Sequence, residues 1–530
     1  MHGGTFDSSR WRIDGSISQV GRERRKLFRE SVRFLLCERE QTMRKAGHKA
    51  LVAVDLGAQS CRVSLLRFQQ EDPHIQVVHR FRNAPMVTSK GVCWDIGAMI
   101  GGVEAGLRLC AGIATEGLSS IGIDGWAVDY VRLDDHGNQI ANPFCYRDER
   151  TIFAEQEVHR VLSPAKLYSL TGIQLLRINT LYQLYADRQA GIDPAKRWLN
   201  LPEFLTYRLG GRPVAEYTNA THTQLVDLAS KEWCGEIFQA TGLERKAAPG
   251  IVPTGTTVGT VRGDLSELMA FRQTQLIVPA CHDTASAIAA IPASGDDWAF
   301  VSSGTWSLVG TVLDKPCVSQ EARAMNFTNL GGVGGTICFL KNVNGMWLLR
   351  QCMEEWEFRG FTWSLRELLH KCASLAAPAA LIDVDDPQLL APGNMLAKIN
   401  AQLESAGNRP VSSEGSDLPF VANLILHSLA ARYAEVLSSI ASIAGKTLKR
   451  LFIVGGGSRN ELLNRLAAEH TGLEVIVGST ESTTIGNFAI QMAALVGDWG
   501  PSNGVPAASV TKWAEKLSMR EMALSAGLEG

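Results

Sequence analysis

The chain has 530 residues, with 52 lysines and arginines against 54 aspartates and glutamates, 45% hydrophobic residues and a mean hydropathy of about zero. This balance excludes a sequence-wide field that would select nucleic acid or an acidic surface, and no uncharged apolar run approaches a membrane span. The length points to two large domains. Eleven cysteines (Cys37, Cys61, Cys93, Cys110, Cys145, Cys234, Cys281, Cys317, Cys338, Cys352, Cys372) are scattered and form no C-x-x-C pair. A zinc knuckle and a disulfide framework are therefore not indicated, and a reducing compartment is expected.

Residues 1–48 differ from the rest. Arg22, Arg24, Arg25, Lys26, Arg29 and Arg33 cluster, interleaved and followed by Glu23, Glu30, Glu38 and Glu40. No apolar core of a secretory signal follows, and the acids argue against a transit peptide. This segment reads as an extension with a short amphipathic helix around Leu27–Leu36. A basic interaction arm is the alternative.

From Leu51 the pattern is mixed α/β. Leu51–Asp55 and Arg62–Leu66 read as strands joined by a tight Gly57 turn, and Ile75–Phe81 as a third strand. Ile96–Ala114 reads as a helix. Ile121–Val131 reads as a buried strand, a break carrying Asp124 and Trp126, and a second strand closed by a hairpin turn at Asp134–Asn138. Arg147–Leu228 is mainly helical, punctuated at Ser163-Pro164 and Gly210-Gly211. Pro253–Gly263 is turn-rich. Leu276–Pro279 is a short strand that runs into an Ala-rich helix after Thr284, so His282 and Asp283 sit where strand becomes helix.

A domain boundary is expected near Pro292–Asp297. It divides the chain into an extension (1–48), a first domain (49–294), a second domain (295–500) and an irregular tail (501–530). In the second domain Ala299–Ser302 and Trp306–Gly310 repeat the hairpin plan around Gly304. A Gly-rich loop at Asn329–Thr336, a helix at Val343–Glu355, a variable Pro- and Ser-containing region at Ala377–Asp417 and helices over Phe420–Ala444 follow. Leu451–Val454 then leads through Gly455-Gly456-Gly457 into another helix.

The two hairpins carry the first chemical signal. Aligned at Gly57 and Gly304, they put Asp55 opposite Ser302 and Ala58 opposite Thr305. Turns of this kind aim backbone N–H groups and small hydroxyls at one point, a nest for an anion. A pair of them suggests a polyphosphate held between two halves, although each alone is also what plain sheet core looks like. Asp55, a carboxylate at the end of an apolar strand, is costly unless paired or bound to a cation. Beside phosphates it would hold magnesium, mostly through water, whereas a strand-end cap is the plainer reading. Asp283 opens a helix, whose N–H groups would keep it ionised while it orients a hydroxyl and takes its proton late; a plain N-cap is the alternative. His282 reads as a hydroxyl contact rather than a base. Trp126 and Trp306 offer faces for a sugar, with Asp124, Asp129 and Asn342 as hydroxyl partners, although most tryptophans fill core. The triple glycine would let backbone approach a flat ligand such as adenine.

Several stretches together resemble a known family. They are Val52–Ala58, the block Gly122-Ile123-Asp124-x-Trp126-x-Val128-Asp129, Tyr146–Thr151, Gly172–Gln174, Asn179–Leu184, Glu216–Thr221, His282–Ala287, Ser302–Leu308 and Ile453–Gly457. In this order, from Leu51 to Gly497, they resemble the FGGY carbohydrate kinases and, within them, the rhamnulokinase group. The resemblance implies an α/β, two-lobed actin/hexokinase-like (ribonuclease H-like) fold around a cleft. It also implies ATP- and Mg2+-dependent phosphorylation of L-rhamnulose at its 1-hydroxyl, in the cytoplasm, by a monomer or small homo-oligomer with no nucleic-acid or membrane partner. Carried over by motif, Asp283 is the proton acceptor. Ala127, His282, Thr284 and Asn342 contact sugar. Ala58, Gln59, Ser60, Cys61, Arg62, Thr305, Arg350 and Gly456 contact ATP, and Asp55 holds the metal. The chain departs from the family at Ala127 and Cys61, where glycine is common, at Gly125, often threonine, at Gln59, often a small hydroxyl residue, and at Arg350, often glutamine, with Gln351 next to it. A kinase for another ketose, such as L-fuculose or xylulose, and a catalytically silent ATP-binding protein of the same fold are the alternatives.

Overall fold

The structure, a computed structural model, describes residues 49–527 apart from 70–71, 193–195, 391, 413, 415–416 and 500–503. The basic cluster and the Leu27–Leu36 helix expected above lie outside the described residues.

The first half is built on a sheet of β1 (Ala50–Leu56), β2 (Ser60–Gln69), β3 (Asp72–Arg82), β4 (Leu118–Gly125), β5 (Thr257–Thr260) and β6 (Gln275–Ile277), in the order β5-β6-β4-β1-β2-β3. Every residue of β1 is buried, as expected of an apolar central strand covered on both faces. It pairs antiparallel with β2, setting Asp55 opposite Arg62, and parallel with β4, setting Asp55 opposite Asp124. The second half repeats the plan with β7 (Trp298–Ser303), β8 (Trp306–Leu313), β9 (Thr328–Gly331), β10 (Ile337–Asn344), β11 (Arg450–Val454) and β12 (Glu474–Val477), in the order β9-β10-β8-β7-β11-β12. Without the added edge strands β5 and β9, both sheets run third, second, first, fourth, fifth in chain order: an antiparallel hairpin extended by parallel strands.

Helix α1 (Ile96–Ile113) is capped by Asp95, whose Oδ1 accepts from the Ala98 amide at 2.9 Å. Among the described residues it is the one helix long and apolar enough to cross a membrane. Its Ile96, Met99, Val103, Leu107 and Cys110 are buried at helical spacing, on a helix that packs on β2 and β3. Helices α2 (Tyr217–His222) and α3 (Asp283–Ala289) complete what the first half brings to the site. In the second half α4 (Leu418–Ala444) runs through the largest apolar cluster. Helix α5 (Ser482–Leu495) then crosses back to pack on α3, β1 and β4, and α6 (Ala507–Gly527) packs on α5.

Several expectations are corrected. The tail expected to be irregular contains helix α6, in which Val510, Ala514 and Leu517 are buried at helical spacing. Asn329–Thr336 is not all loop: Thr328–Gly331 pairs with Ile337–Leu340. The helix expected from Val343 begins at Trp347, because Val343 and Asn344 end strand β10. Gly345 then turns the chain so close to the first residues of β8 that a Cβ there would lie 2.7 Å from the Thr305 carbonyl oxygen. The variable region contains a helix, Met395–Ser405, and Pro253–Gly263 contains β5. The Asp134–Asn138 turn closes only one bridge, Leu133 to Gln139; the main partner of Tyr130–Leu133 is Arg197–Asn200.

Candidate active site

The end of the first sheet concentrates charge. Asp55 and Asp124 lie side by side on β1 and β4, 3% and 0% exposed. The chain leaving β6 pairs with the end of β4 through a Gly125–His282 bridge, the Gly125 amide donating to the Cys281 carbonyl at 3.0 Å. This pairing brings Asp283, the first residue of α3, beside them. Burial pushes the Asp55 carboxyl up to about 6; Arg62 pulls against the shift, and the charges of Asp283 and Glu481 add to it. Burial and then the charge of Asp55 carry Asp124 well above the ordinary carboxylate value.

Burial likewise pushes Asp283 up to about 6, although Thr284 donates to its Oδ1 from the backbone amide at 2.5 Å and the hydroxyl at 3.1 Å. The expectation that helix N–H groups keep it ionised is thus only partly met: crowding by protein outweighs them. A third of the Asp283 side chain still reaches solvent. His282 stands 3.5 Å from it through Nε2, and burial pushes this imidazole down to about 3, so it is neutral and acts as a hydrogen-bonding group.

Among the described residues Arg62 is the cation inside this cluster. Its Nε and Nη2 each lie 2.8 Å from Asp55 Oδ2, and Nη1 bonds to Glu481, just before α5. In this state the guanidinium is spent on carboxylates rather than pointed freely at an anion site. Cys61 is fully buried in the core, its thiol pushed up to about 12 by burial, and its Sγ donates to the Gly57 carbonyl of the hairpin turn at 3.6 Å. Asn83 pins that turn, donating from its side chain to the Gly57 carbonyl at 3.1 Å and from its amide to the Gln59 carbonyl at 3.0 Å. Gln59 is exposed and accepts from Arg350 Nη1 at 2.9 Å, across the two halves. Neighbouring Gln351 is buried and donates to Glu354 instead. Ala58, Ser60 and Thr305 are partly exposed at the two turns, and the Thr305 carbonyl accepts from the Trp347 amide where the next helix starts. Of the three glycines, Gly455 (φ 84°) and Gly457 are required by Ser303: a Cβ on either would meet its carbonyl or side chain at 2.9 or 2.1 Å. Only Gly456 faces open space, so the ligand-approach reading of the triplet narrows to this residue.

Asn342 donates to Gln174 Oε1 at 2.8 Å, again joining the halves. Ala127 is 5% exposed. The next residue, Val128, has φ 73°, a strained conformation for a β-branched residue, held by the Thr180 hydroxyl donating to its carbonyl at 2.7 Å. Asp129 is not a free hydroxyl partner. Its carboxylate accepts from Trp94 Nε1 (2.6 Å), Trp126 Nε1 (3.0 Å), the Tyr146 amide (3.2 Å) and Gln183 Nε2 (3.0 Å). Trp126 is accordingly buried against Trp94 and braces the loop, whereas Trp306 is 41% exposed.

Residues 50–290 match the FGGY family of carbohydrate kinases, N-terminal domain, and residues 299–495 match its C-terminal domain. The chain belongs to the FGGY family of carbohydrate kinases. It is 37% identical over 449 residues to the rhamnulokinase of Bacteroides thetaiotaomicron, covering 84% of this chain and 90% of that protein. It is 38% identical over 451 residues to that of Klebsiella pneumoniae, covering 84% and 89%. Among solved structures it resembles gluconate kinase from Lactobacillus acidophilus (TM-score 0.70, 13% identity, 90% of this chain and 99% of that one). It also resembles Plasmodium falciparum glycerol kinase with ADP (TM-score 0.69, 13% identity, 89% and 93%). The two-lobed actin/hexokinase-like fold follows, and this FGGY kinase is a phosphotransferase acting on a sugar hydroxyl.

A divalent cation fits the residues present. Among the described residues Asp55, Asp124 and Asp283 repel one another around a single arginine, and Asp124 Oδ1 is buried with no hydrogen-bond partner. The donors are hard oxygens, the set magnesium takes. Among the described residues no group of three or more His, Cys, Asp or Glu is arranged to hold a metal. Phosphate oxygens and water would have to complete its shell.

Sequence reasoning missed three supports of this FGGY kinase site. Asn487 on α5 donates to Asp124 Oδ2 and, at 3.2 Å, to the Gly122 carbonyl; Gln491, one turn on, donates to the Val52 carbonyl at 3.0 Å. Glu481 holds Arg62. Glu216 sits beneath Cys281. Two amides four residues apart in an otherwise apolar helix were a usable signal for the first; the others had none beyond a motif match.

Proposed function

We propose that the chain transfers the γ-phosphoryl group of ATP to the 1-hydroxyl of L-rhamnulose, giving L-rhamnulose 1-phosphate and ADP, as a cytoplasmic step in L-rhamnose breakdown. The observation that carries this reading is the position of Asp283, at the mouth of a helix beside Asp55 and Asp124 and partly open to solvent. The identity to rhamnulokinases across both domains supports the choice of sugar.

Asp283 accepts the hydrogen bond of the attacking hydroxyl and takes its proton late, as the new P–O bond forms and the bond to ADP breaks. Such a transfer goes through a loose transition state, so aim matters more than basicity. A carboxyl titrating near 6 is nonetheless a better acceptor than an ordinary aspartate. His282, Thr284, Asn342 and the backbone around Ala127 hold the ketose. The two hairpin turns, Ala58–Arg62 and Thr305, take the phosphates, with Arg350 and Gly456 on the nucleotide. Magnesium, held through Asp55, would neutralise phosphate charge. The domain limits 49–294 and 295–500 belong to the same proposal, with α5 reaching back across them.

The test is ADP release measured over a panel of ketoses. Turnover is expected to be fastest with L-rhamnulose and at least tenfold slower with L-fuculose and xylulose; equal rates on all three would remove the assigned substrate.

A further inference from the structure

Helix α2 lies under the turn that delivers Asp283, and the transfer itself uses none of its residues. Its cap, Glu216, is fully buried, and its carboxylate gathers donors from two directions. From α2 come the Thr218 amide (3.0 Å) and hydroxyl (2.5 Å) and the Asn219 amide (3.4 Å). From outside come the Thr254 hydroxyl (2.6 Å) and the amide of Cys281 (3.0 Å), two residues before Asp283. The Thr218 hydroxyl, while donating to Glu216, accepts from the His282 amide at 3.4 Å. At the other end of the helix the His222 ring meets the His282 ring edge-on, centroids 4.8 Å apart. Every residue of the catalytic turn before Asp283 is therefore gripped by α2 or its cap.

Behind this grip lies a second buried carboxyl. Glu203 accepts from the Glu216 amide at 3.1 Å and from Asn219 Nδ2 at 2.9 Å. Burial, with the charge of Glu216, pushes it up to about 8; burial raises Glu216 as well, against the pull of the donors it gathers. An adjacent face of α2 touches the second sheet. The Gly331 amide of β9 donates to the Thr221 hydroxyl at 2.9 Å, and a Cβ on Gly331 would lie 2.6 Å from the Tyr217 ring. One six-residue helix thus contacts the catalytic turn and the edge of the other lobe.

We propose that Glu216, acting through Thr218 and the Cys281 amide, is a positioning residue that aims Asp283, and that α2 ties this aim to the seating of the second sheet. The proposal rests on Asp283 being the proton acceptor. Buried carboxylates with five donors are expensive to build and hard to deform, which makes Glu216 a fixed point for an adjacent turn. Because catalysis here depends on the direction of one carboxylate, a small rotation of that turn costs turnover without disturbing the nucleotide site.

The test compares Thr218→Val, which removes both the hydrogen bond to Glu216 and the acceptor for His282, with Thr218→Ser, which keeps them. Thr218→Val is expected to lower kcat about tenfold or more with the KM for ATP within twofold, and Thr218→Ser to restore kcat to within about threefold of the parent. Thr221→Val, which breaks the contact to β9 together with the hydroxyl's own bond to the Thr218 carbonyl (2.9 Å), should lower kcat severalfold with an unchanged melting temperature. If Thr218→Val does not fold, Thr218→Ala, which leaves room for water, is measured against Thr218→Ser instead. Full kcat in a folded Val or Ala variant, or equal loss in these and Ser, overturns the proposal. Asp283→Asn separates the two readings. Near-normal turnover in that variant rejects the base assignment itself, whereas a dead Asp283→Asn beside a fully active Thr218→Val rejects only the brace.

Discussion

The two sheets share a strand order and differ in what stands at the ends of their central strands. In the first, β1 and β4 end in Asp55 and Asp124, and a third acid, Asp283, is brought to the same place. In the second, the equivalent pair is Ser302 and Val454, followed by the close-packed Ser303 and three glycines. One topology thus supplies the same location twice, and residue type divides the labour. In the proposed function the first half gathers negative charge for a cation and a proton acceptor, and in the second Gly456 leaves open space where backbone can approach a ligand. The cost falls on the charged half, where burial raises all three carboxyls and one arginine, shared with Glu481, offsets them. A phosphoryl-transfer site needs both kinds of surface, and a duplicated fold offers a way to separate them.

The sharpest way to break this contrast is to neutralise the first half. Asp283→Asn keeps the shape and the Thr284 bonds in reach but cannot accept the hydroxyl proton. We expect kcat to fall by about 10²–10⁴-fold, the usual worth of a positioned acid or base. ATP binding, measured by calorimetry, should stay within a few fold, because the glycine-lined half is untouched. A loss of nucleotide affinity as large as the loss of turnover would show that the two halves do not divide the work in this way.

A milder probe is pH. Asp55 and Asp283 each titrate near 6 in the folded chain against an ordinary value of 3.8. Both must be ionised, so kcat/KM should drop below about pH 6, more steeply than one decade per unit once both protonate. A single-slope limb centred near 4 would contradict the assigned environment. The stability of the ligand-free chain runs the other way. A carboxyl whose folded value is raised contributes stability that is complete below about pH 4 and is lost as the pH climbs through about 6. Magnesium with a non-hydrolysable ATP analogue should therefore raise the melting temperature more at pH 7.5 than at pH 5. Equal shifts would place the cation away from these acids.

Legibility in the sequence followed the same divide between local and distant causes. Asp55 stood out because an apolar strand ended in a charge, and Asp283 because a short strand ran directly into an Ala-rich helix. Both signals lie within a few residues. Among the strands that reasoning missed, β5, β9 and β10 begin or end in Thr, Gly and Asn and owe their extended form to ladder partners in the sheet. Arg62 reads by motif as an ATP contact; in the fold it binds Asp55, across the hairpin, and Glu481, 419 residues away. Asp129 and Trp126 read as sugar-facing in the sequence, yet they satisfy one another, and only the folded chain shows a donor meeting each carboxylate oxygen. The return of α5 to the first sheet was similarly hidden, except for Asn487 and Gln491 at i and i+4.

The smallest effect comes from the second half, where the comparison can be sharpened glycine by glycine. Gly457→Ala sets a methyl 2.1 Å from Ser303 Oγ, so backbone must move and stability should fall by about 1–3 kcal/mol, as overpacking usually costs. Gly456→Ala meets nothing within 4 Å, and its φ lies outside the left-handed range, so the fold should accept it unchanged. Its methyl would stand in the space reserved for the nucleotide and should raise the KM for ATP severalfold, with little change in kcat at saturation. Denaturant melts and ATP titrations on the pair separate the two roles. If both variants melt like the parent and bind ATP equally well, the glycines serve neither packing nor ligand approach. If instead the stability loss belongs to Gly457 and the affinity loss to Gly456, adjacent residues divide structure from binding just as the two sheets divide charge from access.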